Sequence, residues 1–189
     1  MILYSAIIIF SLVAIVLFNS LFTNLNFFYI LWQSILDVVL VVAIDAIIAT
    51  IVHAMSQKKL HPFAKIYQMT KFEKTLYLKL GIKKWKDKIP EAGKYLCHFA
   101  KDKVLDPNNN EYVYKFLCET CYAGIMHFIS IFLGFLIMIF MPNKLNIVLP
   151  VCVVNAVLQI LPVMVQRFNR ERLINLYNYN KRHSGERNE

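Results

Sequence analysis

Charge is what this sequence has least of. Only 17% of its 189 residues are Asp, Glu, Lys or Arg, against about 25% in an ordinary soluble domain. From Met1 through Leu36 there is no Asp, Glu, Lys, Arg or His at all. That first stretch has no basic leader, and nothing resembling a cleavage site follows it. It therefore reads as a retained helix, not a removed signal peptide. Several signatures of chemistry are missing too. The acyltransferase pattern of His followed five positions later by Asp does not occur: Lys58, Ile66, Lys103, Phe132 and Asn188 stand at that offset from the five histidines. There is no Gly-x-Ser-x-Gly elbow, no Walker loop and no His-Glu-x-x-His. No internal repeat is visible, and the one low-complexity patch, Asn108-Asn109-Asn110 after Asp106-Pro107, reads as a loop. These absences exclude an ordinary cytosolic enzyme, a disordered basic tail and a disulfide-rich secreted module.

What is present is apolar. Hydrophobic residues make up 58% of the chain, and a membrane helix needs about 20 of them to cross about 30 Å of hydrocarbon. Four stretches qualify: residues 2–22, 28–55, 122–141 and 145–166. The 21 basic residues avoid these stretches. Fourteen lie between Lys58 and Lys115, and six from Arg167 onward. Residues 56–121 hold 14 Lys against seven acids, a net of +7, and the tail carries a net of +3. The positive-inside rule puts both in the cytoplasm. The expected fold is all-α: an integral membrane protein of about four transmembrane helices, with a helical, basic cytoplasmic segment between helices two and three. Its parts are an N-terminal membrane hairpin (1–55), a cytoplasmic amphipathic segment (56–121), a C-terminal membrane hairpin (122–166) and a basic cytoplasmic tail (167–189). Both termini face inward, in a multi-pass protein of the cell membrane.

In the cytoplasmic segment, Phe63, Ile66, Tyr67, Phe72, Leu76 and Leu80 recur at spacings of mainly three and four, which predicts a helix from Pro62 to Leu80 with a Lys-rich opposite face. Gly81 is its expected stop. Ile82, Trp85 and Ile89 repeat the pattern. A basic amphipathic helix with Trp commonly lies in the membrane interface, where each Lys is worth about 1 kcal/mol against anionic lipid. The same lysines would also suit the phosphates of a donor such as acyl-CoA. Membrane lipids are expected partners. Nucleic acid is not, since no recognition module is recognisable.

Polar residues inside a membrane are costly and mark candidate sites. On helix three, with Asn110 as its expected N-cap, Thr120, Gly124, His127, Ser130 and Gly134 share one face. On helix four, Asn155, Gln159, Pro162, Gln166 and Asn169 form a second stripe. With the hairpin turn centred near Asn143 and a rise of about 1.5 Å per residue, His127 lies level with Gln159 and Ile160. Glu119 lies level with Phe168, within reach of Arg167 or Arg170. This predicts one polar site at the cytoplasmic boundary, built from His127, Glu119, Gln159, Gln166, Asn169 and the arginines. The competing reading is that such residues only pack and bond helices together. Asp37 and Asp45 in helix two each cost about 2.5–3.5 kcal/mol if ionised at mid-membrane. Protonation, a cavity or pairing at the inner surface would accommodate them, and a proton or cation path is a further alternative. The four cysteines are expected as free thiols. Cys118-x-x-Cys121 with Cys97 and His98 does not match a standard zinc finger, so no metal is expected.

Three blocks resemble a known family. They are Lys84-Trp85-Lys86-Asp87-Lys88-Ile89-Pro90, then Glu119-Thr120-Cys121 with His127 eight residues after the Glu, and Gln166-Arg167-Phe168-Asn169-Arg170-Glu171-Arg172-Leu173. Together they resemble the glycosyl-4,4'-diaponeurosporenoate acyltransferases, small bacterial membrane proteins, over residues 61 to 187. The family pattern Glu-Thr-x-Arg-Ala-Glu-x-x-His is departed from at Tyr122 and Gly124. The resemblance implies an enzyme that esterifies a fatty acyl group onto a sugar hydroxyl of a glycosylated carotenoid, towards a staphyloxanthin-like pigment, or of a similar glycolipid. It implies an acyl donor such as acyl-CoA as co-substrate and no other cofactor. On that basis His127 is the expected general base, and Glu119 orients it or ties down the arginines. Trp85, Lys86, Gln166, Arg167, Asn169, Arg170 and Arg172 are the expected substrate-binding residues. The competing classes are a non-enzymatic membrane protein that binds lipid or a partner protein, and a small transporter.

Overall fold

The fold was taken from a computed structural model, which describes residues 2–56, 60–89 and 104–185. It is all-helical among these residues, with four helical stretches long and apolar enough to cross a membrane: Tyr4–Phe22, Phe27–His53, Asn110–Phe140 and Lys144–His183. The long helices are α1 (Ile2–Phe22), α2 (Phe27–His53), α5 (Asn110–Leu133) and α7 (Leu149–Gly185). Among the described residues, two short helices, α3 (Lys71–Lys79) and α4 (Ile82–Trp85), lie between α2 and α5, and α6 (Ile137–Phe140) precedes the last turn. The final span runs 40 residues, about twice what a bilayer requires, so polarity and not helix length must set its membrane limits. The chain divides into two compact units, Met1–Val52 with Met126–Leu161, and His53–Ile125 with Pro162–Glu189. Helices α5 and α7 contribute residues to both.

The first unit is apolar on its outside. Phe10, Leu21, Phe22, Phe28 and Trp32 are all more than 60% exposed, as expected where lipid, not water, is the solvent. Its core gathers Ile15, Val16, Ile30, Val41, Ile137, Ile147, Val148, Val151 and Cys152. The turn before α7 is held by side chains. Asn143 takes the left-handed conformation at φ 53°, which Asn tolerates better than most residues. Its Nδ2 donates to Gln33 Oε1 at 2.8 Å and to the Tyr29 hydroxyl at 3.2 Å. Gln33 Nε2 returns a bond to the Pro142 carbonyl at 2.5 Å. The chain leaves Asn143 through a wide π-turn, Lys144–Val148, and Asn19 Nδ2 donates to the Asn146 carbonyl at 2.9 Å.

The second unit corrects two sequence expectations. The helix expected from Pro62 to Leu80 is broken: a 3-10 turn at Lys65–Tyr67 is followed by extended backbone, and α3 starts only at Lys71. The break has a cause. Arg167 draws the carbonyls of Ile66 and Gln68 to its guanidinium at 2.7 Å and 2.6 Å. A reciprocal capping box between Thr70 and Glu73 then opens the new helix. The cap of α5 is Asn109, not Asn110: its Oδ1 accepts from the backbone N–H of Glu111 and Tyr112 at 3.0 Å and 3.1 Å. Gly81 does stop α3, at φ 67°. Tyr77, Ile82, Met164 and Phe168 form one core with Met69 and Trp85 against it, and Phe116, Leu117 and Leu173 form another.

Candidate functional site

In the first unit, the polar face of α5 meets that of α7 and α2. His127 Nδ1 lies 2.5 Å from Gln159 Oε1, the level partner that the hairpin register predicts. The same Gln159 amide donates through Nε2 to Asp45 Oδ2 at 2.5 Å, and Nε2 also approaches Asn155 Oδ1 at 3.4 Å. Ser130 and Asn155 adjoin the Asp45 carboxylate. The direction of this chain follows from donor chemistry. With Asp45 ionised, its carboxylate only accepts, so the Gln159 NH2 faces Asp45 and its carbonyl faces the imidazole. The imidazole proton is then on Nδ1, and Nε2 is the basic nitrogen. Gly134 permits the close approach: a Cβ there would stand 2.9 Å from Asn155 Nδ2. Asp45 was legible as a costly charge, but its link to His127 was not. Asp37, with Gln33 one turn before it, is fully buried in the same unit.

The second unit holds the basic part of the expected site. Arg167 closes a two-point ion pair with Glu73, Nε to Oε1 at 2.8 Å and Nη2 to Oε2 at 2.9 Å. Partial burial pushes the Glu73 carboxyl up, but the bonds from Arg167 and Thr70 outweigh it and hold the group below its ordinary value. Burial, with the Glu73 charge next in size, raises the nearby Tyr77 phenol. Arg170 is buried and donates to Thr120 Oγ1 at 2.6 Å. Glu119 and Gln166 are buried, Asn169 is half-buried and Arg172 is exposed. Trp85 packs beside Tyr77, Ile82, Met164 and Phe168, with its indole N–H on the Leu80 carbonyl at 3.0 Å, and Lys86 pairs with Asp87. Glu73 is the residue that sequence reasoning missed. Its signal was the Thr-x-x-Glu capping spacing from Thr70, which places a carboxylate at the start of α3.

The sequence-predicted residues thus fall into two groups. His127 and Gln159 belong to the first unit with Asp45. Glu119, Gln166, Arg167, Asn169, Arg170 and Arg172 belong to the second with Trp85 and Lys86. Cys118, Cys121 and Cys152 are free thiols. Cys97 and His98 lie outside the described residues.

A family model described as glycosyl-4,4'-diaponeurosporenoate acyltransferase matches residues 63–179. The chain belongs to this family. It is therefore an acyltransferase, and the four apolar spans make it a membrane acyltransferase. The matched segment carries every one of the expected site residues, from Trp85 to Arg172, and both His127 and Gln159. Asp45 lies before it. Comparison with curated proteins and with solved structures returned no match.

Proposed function

We propose that the protein esterifies a fatty acyl group onto a sugar hydroxyl of a glycosylated carotenoid. The donor is a thioester such as acyl-CoA, the enzyme sits in the cell membrane, and both termini and the basic segments face the cytoplasm. The observation that carries this reading is the hydrogen-bonded line His127–Gln159–Asp45. It supplies an oriented imidazole whose Nε2 takes the proton of the attacking hydroxyl. The oxygen forms its bond to the acyl carbon, the carbon–sulfur bond breaks, and the proton passes from imidazolium to the departing thiolate. General-base assistance of this kind contributes about 10²–10⁴ in rate. The negative charge of Asp45, relayed through the Gln159 amide, favours the imidazolium as it forms. The activity for which the family is named supports the acceptor, and the charge bias of the sequence supports the orientation.

The second unit carries a candidate set of its own, in which Glu119, Gln166, Asn169, Arg167 and Arg172, with Trp85 and Lys86, serve as substrate-holding residues. The deciding test is transfer in membranes with a radiolabelled acyl-CoA and a purified glycosylated carotenoid, read by lipid mass spectrometry. A product heavier than the acceptor by one acyl group, lost in His127→Ala and reduced in Glu119→Gln at unchanged protein level, is the expected result. Full transfer by His127→Ala overturns the assignment of the base. No acylated acceptor from the wild type overturns the substrate.

A further inference from the structure

Arg170, on α7, exposes only 2% of its surface. Its Nη1 donates to Thr120 Oγ1, and its Nη2 donates to the Leu117 carbonyl at 3.2 Å and to Cys121 Sγ. The ring of Tyr67 lies 5.2 Å from the guanidinium carbon. Arginine keeps its charge at any pH where the protein folds. Among the described residues no carboxylate touches it; three of its five N–H groups are bonded, and Nε is buried without an acceptor. A charge taken out of water with no opposite charge in contact is costly, and buried charges are ordinarily paired.

Arg170 also lines a half-open cavity. It is lined by Gln68, Met69, Arg170, Glu171, Ile174 and Asn175, and encloses about 580 Å³ with the solvent at its mouth counted in. Among the described residues its wall brings the side-chain amides of Asn175 and Gln68; Gln68 Nε2 spends one N–H on the Phe63 carbonyl at 2.8 Å and keeps the other. The acid among its described lining residues, Glu171, is engaged by Lys74 Nζ at 2.8 Å and 2.9 Å. We propose that this cavity is an anion seat, in which a phosphate group meets the Arg170 guanidinium and the amides of Gln68 and Asn175. As the seat of a donor phosphate it rests on the acyl-transfer reading above. As an anion site it stands on the cavity and the uncompensated charge alone. A planar guanidinium suits phosphate oxygens in particular. The same chemistry would receive the phosphate of a soluble donor or that of an anionic lipid headgroup.

The test is thermal unfolding of the full chain in nanodiscs, where the two sources separate. Sodium pyrophosphate is added to discs of phosphatidylcholine alone, against sodium chloride of equal ionic strength. In parallel, phosphatidylglycerol is introduced into the discs. A saturable rise in Tm of about 5–10 °C at a hundredfold excess over Kd is expected in at least one arm. Pyrophosphate as the active arm points to a soluble donor, and phosphatidylglycerol alone to a headgroup. Arg170→Gln abolishes the rise. Because that change also removes bonds to Thr120 and Leu117, the exposed Asn175 provides a second pair of variants. Asn175→Asp weakens the anion about tenfold and Asn175→Lys strengthens it by a similar factor. No rise in either arm, or a rise that Asn175→Asp leaves unchanged, overturns the seat. A protein that transfers acyl groups yet gains nothing from either phosphate loses the seat alone. One that binds phosphate and forms no acyl product loses the transfer reading alone.

Discussion

His127 Nδ1 and Gln159 Oε1 stand 2.5 Å apart, 32 residues distant in sequence. The amide that faces the imidazole also donates to Asp45, so the histidine is oriented by a neutral group that passes on the influence of an acid. Gln159→Leu removes the orientation and keeps the base. Its acyl-transfer rate is expected to fall by about 10–10², less than the about 10²–10⁴ expected for His127→Ala. Initial rates on one donor and one acceptor check the order. Equal losses would mean that the imidazole is positioned by something else.

Arg167 and Glu73 are joined in the second unit by a two-point ion pair. Arg167→Ala breaks the ion pair and strands the Ile66 and Gln68 carbonyls, at an expected cost of about 2–4 kcal/mol. Arg167→Lys restores the charge without the fork, and lies between. The thermal midpoint in detergent measures both. A midpoint for Arg167→Ala within a degree of wild type would show the link to be idle.

The same pair gives a pH dependence. Glu73 is held below its ordinary value of 4.5 in the folded state. A depressed carboxyl contributes stability that is fully present above the unfolded value and is lost as pH falls through the folded one. Wild type is therefore expected to lose stability between pH 4.5 and the lower folded value, and Glu73→Gln to show a flatter curve over that range. Parallel curves for the two proteins would place the acid sensitivity elsewhere.

Two glycines on the same stretch of chain call for opposite outcomes. A Cβ at Gly124 meets nothing within 4 Å, so Gly124→Ala gains about 0.5–1 kcal/mol from helix propensity. A Cβ at Gly134 stands 2.9 Å from Asn155 Nδ2, so Gly134→Ala displaces an amide of the candidate site. It is expected to cost about 1–3 kcal/mol and to lower activity. Midpoints for the two alanine variants, with transfer rates, decide the matter.

Asn143 combines a left-handed backbone with bonds to Gln33 and Tyr29. Asn143→Gly keeps the backbone and loses the bonds. Asn143→Ala loses both, and is expected to be less stable than the glycine variant by about 1 kcal/mol. The difference in midpoint between the two is the measurement. Its absence would show that the left-handed conformation is not a constraint.

The apolar runs and the placement of charge determined the four helical spans, because crossing hydrocarbon demands length and apolarity, and both are written one residue at a time. The turn at Asn143 and the level pairing of His127 with Gln159 were legible for a similar reason: helical rise is constant, so distance from a turn sets depth. The three family blocks likewise carried the acyltransferase assignment, since motif spacing survives in the sequence itself. Tertiary structure decided the partners. The periodic run before Leu80 did not become one helix, because Arg167, about a hundred residues away, bonds two of its carbonyls. Asp45 became the acid behind His127 through Gln159, and Glu73 became the partner of Arg167. Hydrogen bonds and ion pairs depend on angles and distances of a few tenths of an ångström between distant segments, and no spacing within one helix encodes them.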